Sequence, residues 1–220
     1  MFFFPIAFLI FVAFILFLPL LLILGYFQVV TLGFEKLGIS PGVTIFLLFL
    51  ILVGSSINIP LTKKKFIYSE RVRFLGFWRT PQVETQCVAI NFGGAVMPSL
   101  LSLYFLFLSW RLSFDLQPIF IATIFMIVIS KALARIIPGK GISLPALIPP
   151  VFSALFALIL APDFPAPAAF IAGTLGTLIG ADILNLRRIQ RYGGFISIGG
   201  AGVFDGIFLI GIVSALLAGF

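Results

Sequence analysis

Again and again the chain runs for about twenty residues with almost no charge, and that recurrence decides what it can fold into. A helix needs about 20 apolar residues to cross the hydrocarbon core of a bilayer. Seven stretches reach or approach that length: 3–25, 41–60, 92–110, 117–137, 143–161, 166–186 and 200–219. Lipid offers no water to an exposed backbone N–H or C=O, so each stretch is predicted to be a helix. Pro and Gly punctuate them, at Gly38 to Gly42, Pro138 to Gly141, Pro162 to Pro167 and Gly193 to Gly200. Of the 220 residues 61% are hydrophobic and 10% are charged, where a soluble domain carries roughly 25% charge. The expected fold is an all-α polytopic membrane protein of about seven transmembrane helices.

The charges orient that bundle. Lys63, Lys64, Lys65, Arg71, Arg73 and Arg79 follow the second stretch; Lys131, Arg135 and Lys140 close the fourth; Arg187, Arg188 and Arg191 follow the sixth. The alternate loops hold only Glu35 with Lys36, Arg111 with Asp115, and Asp163. Basic residues concentrate in cytoplasmic loops, which predicts a cytoplasmic N-terminus and an external C-terminus. The net charge of +7 therefore reports topology, and no nucleic-acid partner is expected. The N-terminal run from Met1 lacks the basic start of a signal peptide and is read as a retained first span. Residues 1–60 then form two helices, 61–91 a basic cytoplasmic segment, and 92–220 a five-helix membrane domain.

Within 61–91, Phe66-Ile67-Tyr68 and Val83 to Asn91 are rich in β-branched and aromatic residues, which predicts a small cytoplasmic hairpin. Lys63, Lys64 and Lys65 offer a surface for anionic lipid headgroups, or simply fix topology.

Histidine is absent, which removes Ser-His and Cys-His catalysis, His proton relays and His metal sites. The single cysteine, Cys87, cannot form an intramolecular disulfide and is read as a packing residue. No metal and no cofactor is expected.

What remains for chemistry is carboxylate. Asp182 and Asp205 lie inside the last two apolar stretches, on either side of the basic loop Arg187 to Arg191. Ionisable groups at membrane depth are costly and tend to be functional. Asp182 precedes Arg187 by five residues, about 7 to 8 Å of helix. Two consecutive antiparallel helices would bring both carboxyls to the cytoplasmic half of the membrane. Two such groups held close share a proton, so one activates water while the other polarises a carbonyl. Glycines at Gly176 and Gly180, and at Gly202 and Gly206, have the GxxxG spacing that permits close helix approach. The plainer alternatives are an ion pair of Asp182 with Arg187 or Arg188, and a helix-capping Asp205.

At matching depth, Leu144-Pro145-Ala146-Leu147 opens the fifth stretch, with Pro149 and Pro150 close behind. Prolines leave backbone groups without helical partners, so this segment is either a cavity edge that hydrogen-bonds an extended substrate or an ordinary proline-rich helix start. Asn91, at the start of the third stretch, is either a helix N-cap or a hydrogen-bond donor to the same cavity.

These elements together resemble the GxGD-type intramembrane aspartyl proteases, the presenilin and signal-peptide-peptidase group. The match is Asp182, Gly202-Val203-Phe204-Asp205 and Pro145-Ala146-Leu147. Phe204 stands where that group has its second glycine, Ala181 where tyrosine is usual, and the Pro-Ala-Leu segment precedes the aspartates instead of following them. The resemblance implies catalysis by Asp182 and Asp205, substrate contacts at Pro145, Ala146, Leu147 and Gly202, and a transmembrane peptide as substrate. The chain also looks like an uncharacterised prokaryotic membrane family of unknown function. That likeness runs through Asn91-Phe92-Gly93-Gly94-Ala95 with Pro98, Gly180-Ala181-Asp182, and Gly199 to Gly206, and it implies a prokaryotic inner-membrane location. The expected function is peptide-bond hydrolysis within the membrane, the alternative a proton- or cation-coupled transporter using the same carboxylates.

Overall fold

The computed structural model describes residues 37–63, 65–73, 78–137, 141–145, 147–190, 195–200 and 206–219, with a few isolated positions before residue 37. The first expected span, 3–25, falls almost wholly outside the described residues.

Helix α1 (Pro41–Ser55) is followed by strands β1 (Asn58–Pro60), β2 (Lys65–Arg73) and β3 (Trp78–Asn91). A π-helical turn, π1 (Phe92–Val96), leads into α2 (Met97–Arg111), and α3 (Gln117–Leu133) follows. Two short strands, β4 (Arg135–Ile137) and β5 (Gly141–Ser143), precede α4 (Ile148–Leu160) and α5 (Pro165–Thr177). A second π-helical stretch, π2 (Leu178–Ile183), and the short α6 (Leu186–Ile189) extend α5. Strand β6 (Phe195–Ile198) and α7 (Gly206–Ala218) complete the described chain.

Helix α5 is the hub and packs on α2, α3, α4 and α7. Its sequence, PAPAAFIAGTLGT, explains that position. Proline in the first turn is pre-organised for helix and gives up an N–H that had no partner there. Ala and Gly then let neighbours approach on every side, and a helix that is apolar all round is buried. Ala168, Ala169, Phe170 and Ala172 are fully buried. Phe170 meets Phe105 of α2 edge-on, ring centroids 5.4 Å apart at 75°, a preferred aromatic geometry. Yet the outward faces are apolar too: Trp110 is 64% exposed, Val128 61% and Ile159 65%. Contiguous exposed apolar surface of this kind suits lipid better than water.

The fold is thus mostly helical with a small sheet. Among the described residues, Phe92–Arg111 (20 residues) and Pro165–Ile189 (25 residues) are long and apolar enough to cross a membrane, which points to a membrane protein. The other apolar helices have 10–17 residues, so the described helices do not supply seven full-length crossings. The reason lies in the punctuation. The second stretch ends its helix at Ser55, and 58–60 is strand. The fourth stops at Leu133 because Ala134 turns extended, at ψ 122°, shortly before Pro138. Residues 135–137 then pair antiparallel with 141–143. The fifth helix starts only at Ile148, beyond Pro145, and the seventh at Gly206 instead of residue 200.

The hairpin expected within 61–91 is present, with Lys65 opposite Gln86 and Arg73 opposite Trp78. Strand β3 outlasts it. Its last residues pair with β1 on one side, Asn58 opposite Asn91, and with β6 in parallel on the other, Cys87 opposite Phe195 through Ile90 opposite Ile198. The glycine-rich stretch Gly193 to Gly200, read as a break between the last two apolar stretches, therefore contributes a strand at Phe195–Ile198. Cys87 is buried in this sheet as a free thiol.

Candidate functional site

Three glycines of the α5–π2 segment set where its residues face. A Cβ on Gly176 would strike Met126, and one on Gly180 would strike the Ile127 carbonyl oxygen, so this GxxxG face lies against α3. Gly173 instead faces α7, where a Cβ would meet the Ser214 hydroxyl at 2.8 Å. The close approach expected from the GxxxG spacing is real, with α3 as its partner.

Just past that contact the helix widens. The Leu184 N–H donates to the Ile179 carbonyl, five residues back, at 2.9 Å. The Asn185 side-chain amide donates to the Ala181 carbonyl at 2.9 Å and to that of Gly180 at 3.3 Å. Single π-helical turns of this kind occur frequently at functional sites. Asp182 stands in this one, half-buried, with its Oδ2 accepting the Gly199 N–H at 2.7 Å. A carboxylate among aliphatic side chains is costly without such a donor. Its Oδ1 has no partner among the described residues, and neither Arg187 nor Arg188 forms an ion pair with it there.

Gly199 is held from two sides. Its φ of +83° suits glycine, and a Cβ would meet Ala95 N at 2.7 Å and Gly94 C at 2.9 Å. Both neighbours belong to π1, so the two π-helical segments converge on the turn residue that follows β6.

Asp182 lines a cavity of about 630 Å³. Its walls include Leu144, Leu147 and Pro150 around the Pro-Ala-Leu run, Thr177, Ile196 and Ile198 of β6, and Ile207 and Ile210 of α7. A volume of this size matches small-molecule and peptide-side-chain sites, which are mostly apolar with few polar groups. The walls are mostly apolar, with hydroxyls at Ser143, Thr177 and Ser197, and Asp182 is the acidic group among the described lining residues.

Of the residues singled out in the sequence, Asp182 and Leu147 therefore meet at one cavity. Pro145 is exposed and is not a lining residue. Asp205, Gly202 and Ala146 lie outside the described residues, as does Lys64. Asn91 sits elsewhere, fully buried, as the N-cap of π1. Its Oδ1 accepts the Gly94 N–H at 2.7 Å, while its Nδ2 donates to the Ser55 carbonyl at 2.6 Å and to Asn58 Oδ1 at 3.2 Å. Lys63 is exposed. Among the described residues no group of three or more Cys, Asp or Glu side chains is placed to hold a metal ion.

Sequence reasoning overlooked Asn185, Asn58 and Ser197, and took Gly199 only as part of the Gly199 to Gly206 stretch. The signal for Gly199 was the Gly199-Gly200 pair, which reads equally as helix packing. Asn185, three residues beyond Asp182, was the cue for an altered helix turn.

The family described as "Protein of unknown function (DUF1614)" matches residues 52–217, a stretch that holds every described element of the site. Neither a curated protein nor a solved structure matches the chain.

Proposed function

We propose, for a chain that belongs to DUF1614, a family of proteins of unknown function, that it is an intramembrane aspartyl protease in which Asp182 and Asp205 share catalysis. One observation carries the reading: a carboxylate with one oxygen unpartnered among the described residues stands on the wall of a predominantly apolar cavity that Leu144 and Leu147 also line. Gly200 and Ile207, which flank the segment containing Asp205, line the same cavity.

In this mechanism the ionised carboxyl takes a proton from water, whose oxygen adds to the scissile carbonyl carbon. The protonated carboxyl donates its proton to the carbonyl oxygen. Collapse of the tetrahedral adduct, with proton transfer to nitrogen, releases an acid and an amine. The predominantly apolar walls suit an apolar stretch of peptide. Leu147, Ala146 and Gly202 are assigned to substrate contact in this reading; Pro145, which does not line the cavity, and Asn91, buried away from it, are not.

The same proposal includes an inner-membrane location in a prokaryotic cell, with the N-terminus cytoplasmic and the crossings completed by the shorter apolar helices. Twelve of the fourteen basic residues, which fall in alternate loops, support that orientation.

The test is cleavage of a tagged apolar transmembrane peptide co-reconstituted with the protein in liposomes. Asp182→Asn and Asp205→Asn are each expected to abolish product, a loss of about a thousandfold or more, with the protein still folded. Full activity in both single variants would end the two-aspartate assignment. A proton or cation flux that disappears in Asp182→Asn, with no cleavage in the wild type, would replace proteolysis by transport.

A further inference from the structure

We infer that Asn58 and Ser197 are positioning residues for Asp182, acting through the Gly199 N–H; this rests on the reading of Asp182 as a functional carboxylate. The two side chains come from β1 and β6, the strands that flank the end of β3 on opposite sides. Ser197 Oγ donates to Asn58 Oδ1 at 2.6 Å, tying those strands together across β3. The same Asn58 oxygen accepts from Asn91 Nδ2, and Asn91 Oδ1 caps Gly94 in π1. Gly94 and Ala95 then press on Gly199. The contacts close into a ring: Asn91, π1, Gly199, Ser197, Asn58 and back to Asn91.

Gly199 is the member of that ring that touches Asp182. Strand β6 has four residues and its one described strand partner is β3. A strand so short, paired along one edge, can pivot about that edge. The Ser197 hydroxyl adds a second attachment two residues before Gly199 and removes the pivot. The direction of the Gly199 N–H, and with it the rotamer of Asp182, follows from where Ser197 is anchored. Gly199 has no side chain to anchor it, so its N–H direction is set by its neighbours: the Gly94–Ala95 contact with π1 and the Ser197 attachment two residues earlier.

The experiment uses the full chain in nanodiscs, with [13Cγ]Asp labelling and amide hydrogen exchange. The sequence has four aspartates, Asp115, Asp163, Asp182 and Asp205, and the Asp182→Asn spectrum assigns the signal of interest. Ser197→Ala and Asn58→Ala are each expected to move the Asp182 signal and to speed exchange at Gly199 about fivefold to tenfold, the effect of losing one hydrogen bond. Ser197→Thr, which keeps the hydroxyl, restores both. If Ser197→Ala does not fold, Ser197→Cys takes its place as a weak donor of similar volume. An unmoved Asp182 signal in Ser197→Ala, a failure of Ser197→Thr to restore it, or an equal rise in exchange at every core amide of α5 would each overturn the inference. Neither readout requires turnover. A moved signal in a protein that cuts no peptide upholds the positioning and removes the protease reading; cleavage with unmoved signals does the reverse.

Discussion

Replacing Gly199 by alanine tests the geometry around Asp182 more directly than replacing the carboxylate. Two costs are expected. The first is conformational: φ is +83°, and an L-residue in the left-handed region costs about 1–2 kcal/mol. The second is steric, because the new methyl would meet the Ala95 backbone nitrogen at 2.7 Å and the Gly94 carbonyl carbon at 2.9 Å. Those are backbone atoms, so no side-chain rotation relieves the overlap, and overpacking of this kind costs about 1–3 kcal/mol. Together they come to about 2–5 kcal/mol.

Gly38 isolates the steric part. Its φ is +76°, and a Cβ there meets nothing within 4 Å among the described residues. Gly38→Ala therefore carries the conformational cost alone, and the entropy removed from the unfolded chain is the same in both variants. Subtraction leaves about 2 kcal/mol assigned to the π1 contact, or about 4–8 °C in melting temperature for a chain of this size. Thermal unfolding of the two variants in the same detergent measures it. If Gly199→Ala melts with Gly38→Ala, then β6 is not wedged between π1 and π2, and the account of how Asp182 is held fails with it.

Two further outcomes are expected. Asn91→Ala leaves the Gly94 N–H and the Ser55 carbonyl without their side-chain partner in a fully buried position, for a loss of about 2–4 kcal/mol; a melting temperature within a degree of wild type would show that the ring of contacts around Asn91 is not what supports π1. In a Cys87→Ser background, Asp163→Cys should react with an impermeant maleimide on intact cells and Lys63→Cys only after permeabilisation, since the two sit in loops of opposite expected side; the opposite pattern would invert the assigned topology.

The parts of this fold that were legible in the sequence are those whose physics is local. Apolar stretches marked the helices and the paired β-rich runs marked the hairpin; of the two roles open to Asn91, cap or cavity donor, the fold realises the cap and places it off the cavity. Asp182 stood out because a carboxylate among hydrocarbon has few inert explanations. What the sequence hid depends on residues far apart in the chain. Phe195-Ile196-Ser197-Ile198 is no less apolar than the helix that follows; it becomes a strand because Cys87 to Ile90 lies beside it, and a parallel pairing of such distant segments leaves no local turn signal. The widening of the helix at Asp182 depends on Gly180 seating against Ile127 and on Asn185 collecting the loosened carbonyls. The Ser197–Asn58 bond joins residues 139 positions apart. A reading based on periodicity therefore finds the carboxylate and misses what aims it, because the aim comes from a strand that only the folded sheet creates. The same reasoning explains why the helices came out shorter than the apolar stretches: hydropathy measures where hydrocarbon is tolerated, whereas Pro138, Pro145 and the glycines near residue 200 determine where the backbone can stay helical.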